Sequence, residues 1–152
     1  MEIQAGGLDD PRVLDLLKIH LQRARAETAP GSAHALDLSG LRLPDVSFYS
    51  VWEGDRVVGM GALKRLAPEH YEIKSMHTTS AERRRGVGSK VLLHLIAEAR
   101  ARGAKRLSLE TGTWDYFRPA VALYRKFGFV ECEPFGDYVL DPNSVFLTLE
   151  LN

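Results

Sequence analysis

Ser80-Ala81-Glu82-Arg83-Arg84-Arg85-Gly86-Val87-Gly88-Ser89 joins two segments of different periodicity, and its reading decides the fold. Before it, residues 71–78 alternate with the period of two expected of a strand. After it, Gly88, Val91, Leu92, Leu95, Ile96 and Ala99 fall on one helical face, while Lys90, Glu98 and Arg102 point elsewhere. The stretch is therefore a strand-to-helix turn. Two glycines one residue apart let the backbone turn tightly and present its N–H groups at a helix N-terminus. The helix dipole adds partial positive charge there. With Arg83, Arg84 and Arg85 alongside, a phosphate or pyrophosphate is the ligand such a turn suits. Taken alone, these residues also allow a glycine-rich helix start beside a solvated basic run. Neither common nucleotide motif is present: Val91 stands where G-x-G-x-x-G needs its third glycine, and Gly88-Ser89-Lys90 has the wrong order for a Walker loop.

Outward from the turn, the spacing predicts a strand near 1–4, then a helix from 11 to about 26, with Asp10 as N-cap and Pro11 at the first helical position. Residues 28–45 are too rich in Pro, Gly and Ser for a long helix. They form the candidate substrate loop, with one helical turn expected over 33–38. A hairpin follows, from strands at 46–52 and 56–66 joined at Glu53-Gly54-Asp55. Beyond the striped helix, which Gly103 closes, residues 106–110 read as a buried strand. Ala120, Leu123, Tyr124 and Phe127 form the stripe of another helix ended by Gly128. Strands at 129–132 and 145–151 complete the chain. Strands first, then strand, helix, strand, helix, strand, predict a mixed sheet with helices on its faces.

The 152 residues suit one domain, 1–152, with a single core. Twenty Lys plus Arg balance twenty Asp plus Glu, so the whole chain exerts no net pull on nucleic acid or an anionic membrane, and any anion site is local. Arg83 to Arg85 with Lys105 and Arg106 lack the interleaved aromatics of a nucleic-acid surface. Cys132 is alone, no signal peptide is legible at the N-terminus, and no apolar run approaches a membrane span. A reducing, cytoplasmic location is the expectation, with no nucleic-acid or membrane partner and no metal.

Arg83-Arg84-Arg85-Gly86-Val87-Gly88 resembles the R/Q-x-x-G-x-G/A signature of the GCN5-related N-acetyltransferases (GNAT), placed as that family places it, after a strand and before a helix. The preceding strand ends in Ser75-Met76-His77-Thr78, and Ala120 to Phe129 is similar to the family's A-x-x-L-Y-x-x-x-G-F ending. The segments at 110–112 and 135–144 resemble a group of small bacterial members. This resemblance implies an α/β (α+β) GNAT fold, a mixed and mostly antiparallel sheet of about six or seven strands with helices on both faces. It also implies acetyl-CoA as cosubstrate and an amine as acyl acceptor. The backbone of Met76, His77 and Thr78 would hold the pantetheine arm, and amides from Arg84 through Gly86, Val87 and Gly88 to Ser89 would receive the pyrophosphate. Many members are dimers, so a homodimer is a possible assembly.

Acyl transfer from a thioester to an amine needs a neutral amine, a stabilised oxyanion and a proton for the departing thiolate. In the family a tyrosine at the place of Tyr124 donates that proton. On periodicity alone, Tyr124 also suits a core aromatic. Glu72, fourteen residues before Gly86, stands where one branch of the family carries its general base; it equally suits a surface strand glutamate paired with Lys74 or Arg65. Strand alternation places 72, 74 and 76 on one face and His77 on the other. The oxyanion donor is expected to be a main-chain N–H near Met76 or His77. Glu110-Thr111-Gly112 replaces the asparagine that many members carry, leaving Thr111 or Thr113 for the pantetheine contact. Trp114, Tyr116 and Phe117 are candidates to wall the acceptor pocket or to pack over a helix end. His20, His34, Asp37, Asp45 and Asp115 lie near the expected acceptor side. An alternative within this family is a catalytically silent domain that binds acetyl-CoA as a sensor or scaffold.

Overall fold

A computed structural model describes residues 1–79 and 86–152. Their order is β1 (Glu2–Ala5), α1 (Pro11–Ala26), α2 (Leu38–Leu41), β2 (Val46–Glu53), β3 (Arg56–Ala67), β4 (His70–Thr78), α3 (Val87–Ala101), β5 (Arg106–Gly112), α4 (Arg118–Lys126), β6 (Val130–Glu131) and β7 (Ser144–Glu150). The seven strands form one sheet in the order β1-β2-β3-β4-β5-β7-β6. Every pairing is antiparallel except β4 with β5, whose right of way is the α3 crossover.

Local chemistry accounts for the helix limits. Asp10 caps α1 by accepting from the Arg12 amide at 2.9 Å, and Pro11 follows at a position that needs no donor. The turn expected at 33–38 forms at Leu38–Leu41 instead. Asp37 is its N-cap, accepting from the Gly40 amide and the Ser39 hydroxyl, both at 2.9 Å, so helix starts after the aspartate rather than before it. Arg83, Arg84 and Arg85 lie outside the described residues, and the turn is seen from Gly86 on.

Two cores sandwich the sheet. On one face α3 sets Val91, Leu92, Leu95, Ile96 and Ala99 against Leu63, Ile73, Leu107, Leu109 and Leu147, with Tyr124 of α4 at the same layer. On the other, Val13, Leu16 and Leu17 of α1 pack with Leu41, Phe48, Met60 and Ala62. Each fully buried aliphatic side chain contributes about 1.5–3 kcal/mol.

Two irregularities position the site. First, β4 and β5 pair only over His70↔Arg106, Tyr71↔Leu107 and Glu72↔Ser108, and then part. Second, β4 carries an extra residue against β3: Ala62 pairs with Lys74 and Met60 with His77, so Gly61 opposes both Ser75 and Met76. Ser75 has φ +54°, the one positive value outside glycine among the described residues. The bulge reverses the phase of the strand. Glu72, Lys74 and His77 therefore share the α1 face, while Met76 turns to the α3 and α4 face, which overturns the uninterrupted alternation expected for 72, 74 and 76.

Candidate active site

Where β4 leaves β5, a cavity of about 460 Å³ passes between the two strands. Residues 73–78 of β4 and 109–112 of β5 form its sides. Gly88, Ala120, Leu123 and Tyr124 close it from the α3 and α4 face, and His20, Ala24, Thr28, Ser32 and His34 from the α1 face. Tyr116 and Phe117 line it too, whereas Trp114 is not part of the lining and remains 40% exposed. Phe117 lies so close over β5 that a β-carbon at Gly112 would run into its ring and force it aside.

The α3 and α4 side is built from backbone and small side chains. Gly86 is left-handed at φ +81°, and α3 begins with no side-chain cap and no acidic residue in its first turn. Among the described residues no side chain caps its first amides, which a helix start leaves without intrahelical partners and suited to an anion. A β-carbon at Gly88 would come within 3.3 Å of Leu123, so the glycine allows the start of α3 to approach α4. Met76, Thr78, Gly88, Thr111 and Tyr124 meet in the cavity lining. Val87 faces the core, and Gly86 and Ser89 lie outside the lining. The Tyr124 hydroxyl reaches the Met76 thioether at 3.9 Å, a weak acceptor. Burial lifts its pKa to about 12, so at neutral pH the phenol stays protonated.

The α1 side is built from titratable groups. Glu110 lies on the wall, and burial pushes its carboxyl above the ordinary carboxylate range against the opposing influence of the Ser144 hydroxyl, His34 and Lys74. Lys74 donates to the His34 carbonyl at 3.0 Å and to the Tyr138 hydroxyl at 2.7 Å, and its ammonium is 3.4 Å from Glu72. Tyr138 in turn donates to Glu72 at 2.6 Å; burial and that carboxylate hold its phenol well above the usual range. His20 and His77 meet through their Nδ1 atoms at 3.1 Å, and burial, with Lys74 nearby, lowers the His20 pKa to about 4.

The structure thus separates the two expected catalytic candidates. Tyr124 borders the cavity. Glu72 is 2% exposed, stands outside the lining and is held by Tyr138 and Lys74. Of the other acceptor-side candidates, His20 and His34 line the cavity, whereas Asp37 caps α2, the Asp45 carbonyl receives the Arg65 amide, and Asp115 pairs with Arg118. Sequence reasoning singled out neither Glu110 nor Tyr138 for the site. The only local sign of Glu110 was a carboxylate at the end of an apolar strand; Tyr138 had none.

The sequence model described as the acetyltransferase (GNAT) family matches residues 14–129. An uncharacterized N-acetyltransferase of Bacillus subtilis, YsnE, is 50% identical over 151 residues, covering 99% of this chain and all of that protein. Among solved structures, an acyl-CoA N-acyltransferase from Klebsiella pneumoniae superposes with a TM-score of 0.83 at 28% identity, over 99% of this chain and 97% of the other. A Bacillus subtilis acetyltransferase in complex with CoA shares the fold, with a TM-score of 0.74 at 22% identity over 99% of both chains.

Proposed function

This chain belongs to the acetyltransferase (GNAT) family, and on that premise we propose that it moves an acetyl group from acetyl-CoA to a primary amine of a small molecule or peptide by direct attack on the thioester. The observation that carries this reading is the cavity between β4 and β5, with a protonated phenol on one side and a buried carboxylate on the other. The CoA bound to a structural relative of the same fold supports the choice of cosubstrate.

In this reading the first amides of α3, from Gly86 to Ser89, and the arginines 83–85 receive the pyrophosphate. Backbone groups of Met76, His77 and Thr78, with Thr111, hold the pantetheine arm along the free edge of β4. The acceptor amine enters from the α1 side. Its nitrogen attacks the thioester carbon, a C–N bond forms, and the carbonyl electrons move to oxygen. Glu110 takes the amine proton, a task suited to a carboxylate whose pKa burial has raised. The C–S bond then breaks and Tyr124 gives its proton to the thiolate. Glu72 acts through others: its carboxylate fixes Tyr138 and Lys74, and Lys74 fixes the loop that carries His34.

The test is coenzyme A release from acetyl-CoA across a panel of small amines and peptide N-termini, with melting curves in parallel. Turnover with at least one amine and a higher melting temperature with acetyl-CoA are expected. At a hundredfold excess over Kd, binding to the folded state alone stabilises by ~2.7 kcal/mol. A melting shift without release from any amine would favour the silent acetyl-CoA sensor.

A further inference from the structure

Ser75 combines three properties that no ordinary strand residue shares. It adopts a left-handed backbone at φ +54°, a conformation glycine tolerates and serine rarely takes. It is 8% exposed, and its hydroxyl has no hydrogen-bond partner among the described residues. It also lines the cavity, at the point where β4 has just left β5. Buried hydroxyls nearly always find a partner, and strained backbone persists where the surroundings hold it for a purpose. A folded chain that keeps both at one residue beside a cavity is holding a donor for a ligand.

Two other polar side chains on the lining are already engaged. Lys74 spends its donors on His34, Tyr138 and Glu72, and His20 is joined to His77. The Ser75 hydroxyl stands beside Met76, whose thioether meets Tyr124. The proton donor for the leaving sulfur and this unpartnered hydroxyl therefore flank the same stretch of β4.

Resting on the acetyl-transfer reading above, we infer that the Ser75 hydroxyl donates a hydrogen bond to the acyl oxygen of the thioester and strengthens it as that oxygen becomes an oxyanion. No proton leaves Ser75. When the amine nitrogen bonds to the carbonyl carbon, negative charge gathers on oxygen, and the Oγ–H stabilises it until the C–S bond breaks and the carbonyl re-forms. The bulge is what makes this possible, because the extra residue sets Ser75 and Met76 together opposite Gly61, both on the cavity wall.

Ser75→Ala and Ser75→Gly test the assignment as a pair. Alanine keeps the strained backbone and removes the hydroxyl; glycine removes both. If the hydroxyl acts on the oxyanion, both variants lose about 10²-fold in kcat while keeping the acetyl-CoA melting shift and the KM for acetyl-CoA. If glycine retains the parental rate, or if the loss lies in KM, the hydroxyl has no such role and its neighbour is solvent. Infrared spectra of bound acetyl-CoA carrying ¹³C at the carbonyl supply a second readout without turnover. The carbonyl band is expected at lower frequency with Ser75 and to rise in both variants. An unchanged band overturns the assignment. Failure of the parent protein to bind acetyl-CoA at all would overturn the underlying reading of the site instead, and with it this one.

Discussion

The two sides of the cavity are made differently. On the α3 and α4 side the described parts are glycines, helix amides and one phenol, and they come from short stretches of chain, 76–78, 86–89 and 111–124. On the α1 side they are two carboxylates, a lysine, a tyrosine and three histidines gathered from α1, the 28–37 loop, β4, β5 and the segment before β7. Backbone recognition serves a ligand whose shape is constant. Side-chain recognition can be rebuilt residue by residue for a different acceptor while the first half stays as it is.

The sharpest way to break this division is to exchange carboxylates. Glu110→Gln is expected to lower kcat by about 10²–10⁴-fold while sparing the acetyl-CoA melting shift, and to remove the rise in rate as pH climbs through a pKa above the ordinary carboxylate value. The sign follows from the chemistry: the base works only when ionised, and burial delays ionisation to higher pH. Glu72→Gln is expected to cost much less in rate and to leave that pH limb in place. Steady-state rates from pH 5 to 9 decide between them; a lost limb in Glu72→Gln alone would return the base to Glu72.

That contrast also marks how far the sequence could be read. The turn at 86–88 and the stripes of α3 and α4 were legible because each is local: glycines one residue apart and apolar residues at helical spacing carry their meaning within a dozen positions. The shared face expected for 72, 74 and 76 failed at Met76 because one extra residue in β4 reversed the strand's phase, and no side-chain pattern announces a bulge. Tyr138 was illegible because its partners, Glu72 and Lys74, lie more than sixty residues away.

Tyr124→Phe probes the other side. The ring keeps its packing with Phe129, so stability should hold, while kcat falls about 10²-fold with near-normal coenzyme affinity. The deficit should shrink for an acyl donor whose thiol is more acidic. Parental turnover with chemistry rate-limiting would make Tyr124 a core residue only.

Tyr138→Phe sharpens the comparison from within the α1 side. It removes the hydroxyl that lies between Lys74 and Glu72, so about 1–3 kcal/mol of stability should be lost in urea unfolding, and KM for the amine should rise while that for acetyl-CoA stays. Equal changes in both KM values would show that the two sides are not independent.

The smallest effect concerns His20. Its folded pKa is depressed from 6.5 to about 4, so between those values the unfolded chain binds a proton that the folded chain refuses. Stability from this group is present above pH 6.5 and lost as pH falls toward 4, by up to about 3 kcal/mol at 1.36 kcal/mol per unit. Chemical unfolding of His20→Gln should therefore be less sensitive to acid than that of the parent. Identical slopes in the two proteins would remove His20 from the linkage.

Three residue pairs fasten β4 to β5. Mechanically, the sheet is two leaves, β1–β4 and β5–β7, sewn along a short spine, with a free strand edge on each leaf facing the gap. An open edge on a protein's outside is a template for aggregation. Here the edges are turned inward and roofed by α1 and α4, so peptide groups left unpaired for a ligand are also kept from pairing with another chain.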